Sequence, residues 1–252
     1  MSREARLSVV RARVAALEAG GASRYAVLPF GDARIDDALP GGGLPLGRWH
    51  EAAGEGLEIE TAAAAGAFVA VTAAPLMAKG AVVWVMRRDD LHAPGLATLS
   101  FPAEQLIQVC VRDEAQALAA LEDALGSAGV AAAIGEAGDI DLTAGRRLQL
   151  ACEKHGATGF VIRRRPFGGS AKRGSAGSAA ATRWIVVSAP SQPTPGQPGL
   201  GAPRWRVRLE RCRGGRPGAW ILEKSDGPHR LRVVAELGDR QLEAPQSFRL
   251  AG

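Results

Sequence analysis

The residues with the clearest chemical implication lie at 39–65, which read LPGGGLPLGRWHEAAGEGLEIETAAAA. A Gly-rich turn leads into a short strand with apolar residues at 47–53, then a glycine-containing loop and an Ala-rich helix. That is the strand–loop–helix layout of a phosphate-binding loop, whose working form is G-x-x-x-x-G-K-[ST]. In this chain Gly54-Glu55-Gly56-Leu57-Glu58-Ile59-Glu60-Thr61 fills the frame. Ile59 stands in place of the last glycine and Glu60 in place of the lysine, so only Gly54 and Thr61 match. An ordinary strand, turn and helix that never held a nucleotide would read the same way, and the motif alone leaves both origins open.

The substitutions have physical consequences. A phosphate cradle needs backbone N–H groups that converge on the ligand. A β-branched residue such as Ile59 resists the dihedrals of such loops and fills the space phosphate needs. Two unit charges about 5 Å apart at an effective dielectric of about 20 interact by roughly 3 kcal/mol. Exchanging the lysine's attraction for repulsion by Glu60 therefore costs on the order of 6 kcal/mol before screening, and half of that is about two decades of affinity. Glu58 and Glu60 also fall where a helix N-terminus favours negative charge, so they stabilise the helix as a phosphate would. The expectation is weak or absent ATP binding and no cofactor.

The elements that must position this segment follow from pattern. At 252 residues the chain is long enough for one large α/β domain, and 46% hydrophobic content is ordinary for a globular protein. Alternation of strands and helices begins at residue 28. A short helix over 32–39 ends at Pro40, the long Ala-rich helix covers 60–78, and apolar strands are expected at 81–86, 106–111, 130–134 and 159–163. Helices at 113–126 and 143–155 separate them. Continuous apolar strands alternating with helices imply a mostly parallel sheet covered on both faces. Beyond Arg165 the chain is Gly/Ser/Ala-rich and reads as a mobile basic loop over 163–182, with a Pro/Gly-rich segment at 189–203. A strand at 184–188 lies between them. Residues 204–212 alternate strictly, Trp205, Val207 and Leu209 on one side against Arg204, Arg206 and Arg208 on the other, and with 219–223 they form a C-terminal β-hairpin. A last strand, 231–236, precedes a tail over 238–252. Residues 1–22 hold an amphipathic helix with Leu7, Val10, Val14 and Leu17 on one stripe, available to its own domain or to a partner.

Composition narrows the partners. No apolar run approaches a membrane span, and the Arg-rich start has no signal-peptide core. The three cysteines, Cys110, Cys152 and Cys212, are too scattered for a metal site and cannot all pair, which points to a reducing cytoplasm. Charge is uneven: residues 163–216 hold twelve Lys/Arg and one acid, Glu210, a net +11 within a chain whose total is +5. Such a concentration suits a polyanion, nucleic acid above all, or the acidic surface of a protein.

The run DARIDDALPGGGLPLGRWHEAAG resembles the entry to the core of RecA/RadA recombinases. Together with Pro29-Phe30-Gly31-Asp32, the Pro/Gly stretch and the late segment APRWRVRLERCRGGRPGAW, nearly the whole chain resembles the ImuA family, RecA-like accessory proteins of bacterial mutagenesis cassettes. The resemblance implies a RecA-like core over 23–237. It also locates the parts of an ATPase. Recombinases carry a water-activating glutamate after the second core strand, where this chain has Arg88 within Arg87-Arg88-Asp89-Asp90. Their Mg²⁺-binding aspartate ends the next apolar strand, where this chain has Gly135-Glu136, and their Asn-Gln sensor pair is replaced by Arg163-Arg164. Phosphoryl transfer depends on positioning and electrostatics, and four of its parts are missing together. Neither Glu136 as a metal ligand nor Asp89 in the glutamate's place would supply the absent lysine.

What the resemblance leaves is DNA contact and protein contact. The recombinase loop after the sensor strand binds DNA. In this chain the corresponding candidates are Arg163, Arg164, Arg165, Lys172 and Arg173, which would track phosphates of single-stranded DNA without reading bases. Phe167 would either stack on an unpaired base or pack on the sheet edge. The implied partners are an ImuB-like Y-family polymerase homologue and an error-prone C-family polymerase. The expected role is a non-catalytic scaffold in error-prone translesion synthesis during the DNA-damage (SOS) response. The alternative is a diverged DNA-dependent ATPase.

Overall fold

The computed structural model describes residues 26–164, 179–193, 196, 198–226 and 230–237, apart from the side chains of residues 58–62. The expected helix within 1–22, the tail over 238–252 and the residues Arg165, Phe167, Lys172 and Arg173 lie outside the described residues.

The chain opens with β1 (Val27–Leu28), α1 (Ala33–Asp36) and β2 (Leu44–Pro45), β1 and β2 pairing antiparallel. The Asp32 carboxylate caps α1 by accepting from Arg34 N, and Asp36 accepts from the backbone N–H groups of Phe30 and Gly31, both at 2.8 Å. β3 (Trp49–Ala53) then enters the centre of the main sheet, and α2 (Glu58–Ala73) leaves it. The Ala-rich helix expected to reach residue 78 tightens into a 3₁₀ turn over Ala74–Lys79, because Pro75 has no N–H to give the helical ladder.

Next come β4 (Ala81–Met86), the short α3 (Ala93–Leu96), β5 (Leu106–Cys110), α4 (Glu114–Leu125), β6 (Val130–Ala137), α5 (Leu142–His155) and β7 (Thr158–Arg163). The caps are legible in the residues: Asp113 accepts from Gln116 N at 2.8 Å and Asp141 from Ala144 N at 2.7 Å. Gly156, at φ 76°, closes α5 in the left-handed conformation that suits glycine. β6 runs three residues beyond its expected end at Ile134. Gly135 is tolerated inside it because an added Cβ there would lie 2.6 Å from Leu121 Cδ2 on α4.

β8 (Thr182–Ala189), β9 (Arg204–Cys212), β10 (Gly218–Lys224) and β11 (Leu231–Glu236) complete a nine-stranded sheet in the order β11-β10-β9-β8-β3-β7-β6-β4-β5. Pairings from β8 to β5 are parallel, and those from β8 to β11 antiparallel. The protein is thus a mixed α/β structure with a large, mostly parallel sheet flanked by helices. One face packs under α1, α2 and the 3₁₀ turn, with Phe68, Trp84, Trp184 and Trp220 in its core. The other packs under α4 and α5, with Trp49, Leu121, Leu125 and Leu148. Arg163 ends β7 and Thr182 opens β8, so both ends of the segment read as a loop are strand residues.

Candidate functional site

In a parallel sheet with helices on both faces, ligands meet the protein beyond the carboxyl ends of the strands. β3, β6 and β7 all end at that edge, and β3 is followed by the four residues 54–57 before α2 begins. Gly56, at φ 99°, makes that turn, and Leu57 opens the helix without a side-chain cap. Residues 59–61 therefore lie in the first turn of α2.

The last residue of β7, Arg163, and the next residue, Arg164, point to opposite faces of the sheet, and each meets a buried carboxylate from another strand. On the α5 face Arg163, whose side chain is 5% exposed, donates from NH1 to Glu51 Oε1 of β3 at 2.8 Å. Its NH2 pairs with Asp139 just beyond β6, and Arg183 of β8 donates to the second Glu51 oxygen at 2.8 Å. Glu51 is 2% exposed and is held by arginines from both flanking strands. Arg163 Nε is buried without a hydrogen-bond partner among the described residues.

On the α2 face Arg164 donates from Nε and NH2 to Glu136 Oε2 of β6 at 2.8 and 2.7 Å, and Trp84 Nε1 donates to Glu136 Oε1 at 3.2 Å. Asp90 lies 3.4 Å from the same guanidinium. Glu136 is 5% exposed, and burial raises its carboxyl above the ordinary value of 4.5, opposed by the charge and hydrogen bonds of Arg164 and by Trp84. The pair floors a cleft of about 550 Å³ between α2 and the segment after β4. Small residues of α2, Ala63 and Gly66, open one wall, and Arg88, Asp90 and His92 line the other.

Beneath these networks, His50 of β3 is buried between Thr182 Oγ1, 2.8 Å from Nδ1, and the Pro45 carbonyl, 2.9 Å from Nε2. The carbonyl can only accept, so Nε2 carries the proton and Nδ1 accepts from the threonine hydroxyl. Trp84 and Trp184 use their indole N–H groups in the same manner, the latter donating to Thr182 Oγ1 at 2.7 Å. Burial lowers the His50 pKa to about 4. Burial also pushes the Cys152 thiol up to about 12 and the Cys212 thiol up to about 11, so both are unreactive at neutral pH.

Of the sequence candidates, Arg163, Arg164, Arg88 and Glu136 are brought to one end of the sheet, the two arginines engaged by carboxylates. Glu51, Asp139, Arg183 and His50 were missed. A signal for Glu51 existed, since a carboxylate in the middle of a central strand demands a cationic partner, but nothing in the sequence says which arginine supplies it.

The architecture is that of an α/β protein with a large, mostly parallel sheet flanked by helices, with charged residues gathered at the carboxyl ends of its central strands. Among the described residues no helix is long and apolar enough to cross a membrane. No family model matches the chain. It is 56% identical over 244 residues to Protein ImuA of Caulobacter vibrioides, in strains NA1000 and CB 15, an alignment covering 94% of this chain and 100% of the relative. The chain belongs to the ImuA family.

Proposed function

We propose that this ImuA-family chain is a non-catalytic accessory protein of error-prone translesion DNA synthesis in the DNA-damage (SOS) response, built on a RecA-like core that has lost its nucleotide chemistry. The observation that carries this reading is the engagement of Glu136. By the sequence resemblance it stands at the end of the strand where a recombinase carries its Mg²⁺-binding aspartate, and Arg164 and Trp84 already engage both of its oxygens. A carboxylate so neutralised is a poor metal ligand. With Glu60 in place of the phosphate-binding lysine and Arg88 in place of the water-activating glutamate, the residues present do not fit a magnesium-bound triphosphate.

In this reading the charged strand ends hold structure instead of ligand. Arg163 and Arg164 anchor the start of the basic segment, while Arg165, Lys172 and Arg173 make its contacts with the phosphates of single-stranded DNA. The protein works through an ImuB-like Y-family polymerase homologue and an error-prone C-family polymerase in the cytoplasm. Hydrolysis assays test the absence of catalysis. Purified protein with Mg-ATP, with or without single-stranded DNA and the ImuB-like partner, should release phosphate no faster than a protein-free control. Turnover that vanishes in Thr61→Ala would establish the rival reading, a diverged DNA-dependent ATPase.

A further inference from the structure

The antiparallel half of the sheet has two unlike faces. Inward, Trp184, Trp205, Val207, Trp220 and Leu222 are buried in the core under α1 and α2. Outward, strand register sets two rows side by side: Val187–Arg206–Ile221–Ala235 and Ile185–Arg208–Ala219. Adjacent strands lie about 4.8 Å apart, so the aliphatic residues of β8 and β10 form two ridges roughly 10 Å apart with the arginines of β9 between them.

On the parallel half, this same face is covered by α4 and α5, whose leucines pack on Val85, Ala133 and Val161. On the antiparallel half, Ile185, Val187, Arg206 and Ile221 all stay partly exposed among the described residues. The charges here are also uneven. Arg204 pairs with Glu223 at 2.6 Å, and Arg208 reaches Glu210 at 3.2 Å and Glu55 at 3.5 Å. Arg206, in the centre, has no ion pair among the described residues, although aliphatic neighbours flank it on both sides.

This chemistry selects its partner. A site for unpaired nucleic acid combines several free cations with aromatic platforms, and the tryptophans of these strands all lie on the opposite face. An unpaired arginine set among aliphatic side chains is instead the composition of a protein-interface centre. A helix about 10 Å across matches the ridge spacing, as α4 and α5 do beside it. We propose that the outer face of β8–β11 docks an amphipathic helix of a protein partner. The helix lays an aliphatic stripe along Val187 and Ile221 and brings an Asp or Glu carboxylate to Arg206.

The test rests on the proposed function for its probe, the full-length ImuB-like polymerase homologue of the same organism, with a thirty-nucleotide oligo-dT as the second ligand. Arg206→Glu and Ile221→Ser should each weaken the polymerase homologue at least tenfold while oligo-dT affinity stays within twofold. Both variants should melt within a few degrees of wild type, because neither side chain is in the core; Val187→Ser replaces either that does not. In the wild-type complex, benzoylphenylalanine at position 221 should cross-link to a partner segment with helical apolar spacing and an acidic residue. Unchanged affinity in both variants, or a cross-link to a basic or non-helical segment, overturns the proposal. Loss of oligo-dT binding instead reassigns the face to nucleic acid. If wild-type protein does not bind the polymerase homologue at all, the partner reading itself fails, and this occupant fails with it.

Discussion

Removing Arg164 should expose how much the buried Glu136 depends on it. The carboxylate is 5% exposed, and its Oε2 takes two hydrogen bonds from one guanidinium at 2.8 and 2.7 Å. With charge centres about 4 Å apart and an effective dielectric of about 20, the attraction is roughly 4 kcal/mol. Deleting one partner of a buried pair typically costs about 3–5 kcal/mol, because the other charge is left without compensation. Arg164→Ala should therefore lose stability by that order, or roughly 6–20 °C in melting temperature for a chain of this size.

The loss should also depend on pH. Glu136 already has a folded pKa above its ordinary 4.5. A raised carboxyl contributes stability that is full below the unfolded pKa and is lost as pH rises through the folded one. Without Arg164 the folded pKa climbs further, so the deficit should be largest near pH 8 and shrink toward pH 4.5. Urea melts of wild type and Arg164→Ala at both pH values measure it, with Glu136→Gln completing a double-mutant cycle. A deficit below about 1 kcal/mol, or one equal at both pH values, would refute this account of the pair.

Two further outcomes follow from the same structure. His50, held neutral with a pKa lowered to about 4 from 6.5, contributes stability present above pH 6.5 and lost as pH falls through about 4. The gap is worth on the order of 3 kcal/mol, and His50→Asn should flatten wild-type acid destabilisation in that window when followed by urea melts. For DNA, affinity for oligo-dT should fall steeply with salt. Changing Arg165, Lys172 and Arg173 together to Ala should reduce the logarithmic salt slope by roughly 2, at about 0.7 per single-strand phosphate contact; an unchanged slope in fluorescence anisotropy would move the contact elsewhere.

Much of the fold was legible because local rules agreed with one another. The strand at 81–86 is a run of large apolar residues, and it appears with those bounds; the period-two alternation at 204–212 also survives intact. The helices expected at 113–126 and 143–155 appear within one residue at each end, closed by Asp113, Asp141 and Gly156. Where the reading fell short, tertiary partners had intervened. Gly135 and Glu136 look like a turn in isolation, yet Leu121 fills the space beside the glycine, and Arg164, 28 residues later, stabilises the acid inside the strand. The 3₁₀ end of α2 was signalled by Pro75 and overlooked amid the alanines. At the site, the residue types were visible but their pairing was not. Neighbouring residues of a strand turn to opposite faces, but sequence spacing cannot show that Arg163 and Arg164 would each find a carboxylate on a different strand.

The proposal that this ImuA-family chain does not bind nucleotide is tested most directly by titrating the purified full-length protein with Mg-ATP in a calorimeter. No heat beyond dilution is expected up to millimolar nucleotide, with or without single-stranded DNA. A saturating isotherm with a micromolar dissociation constant would contradict it, since about 8 kcal/mol of binding free energy is far more than a loop with Glu60 at the lysine position, beside an already engaged Glu136, should provide.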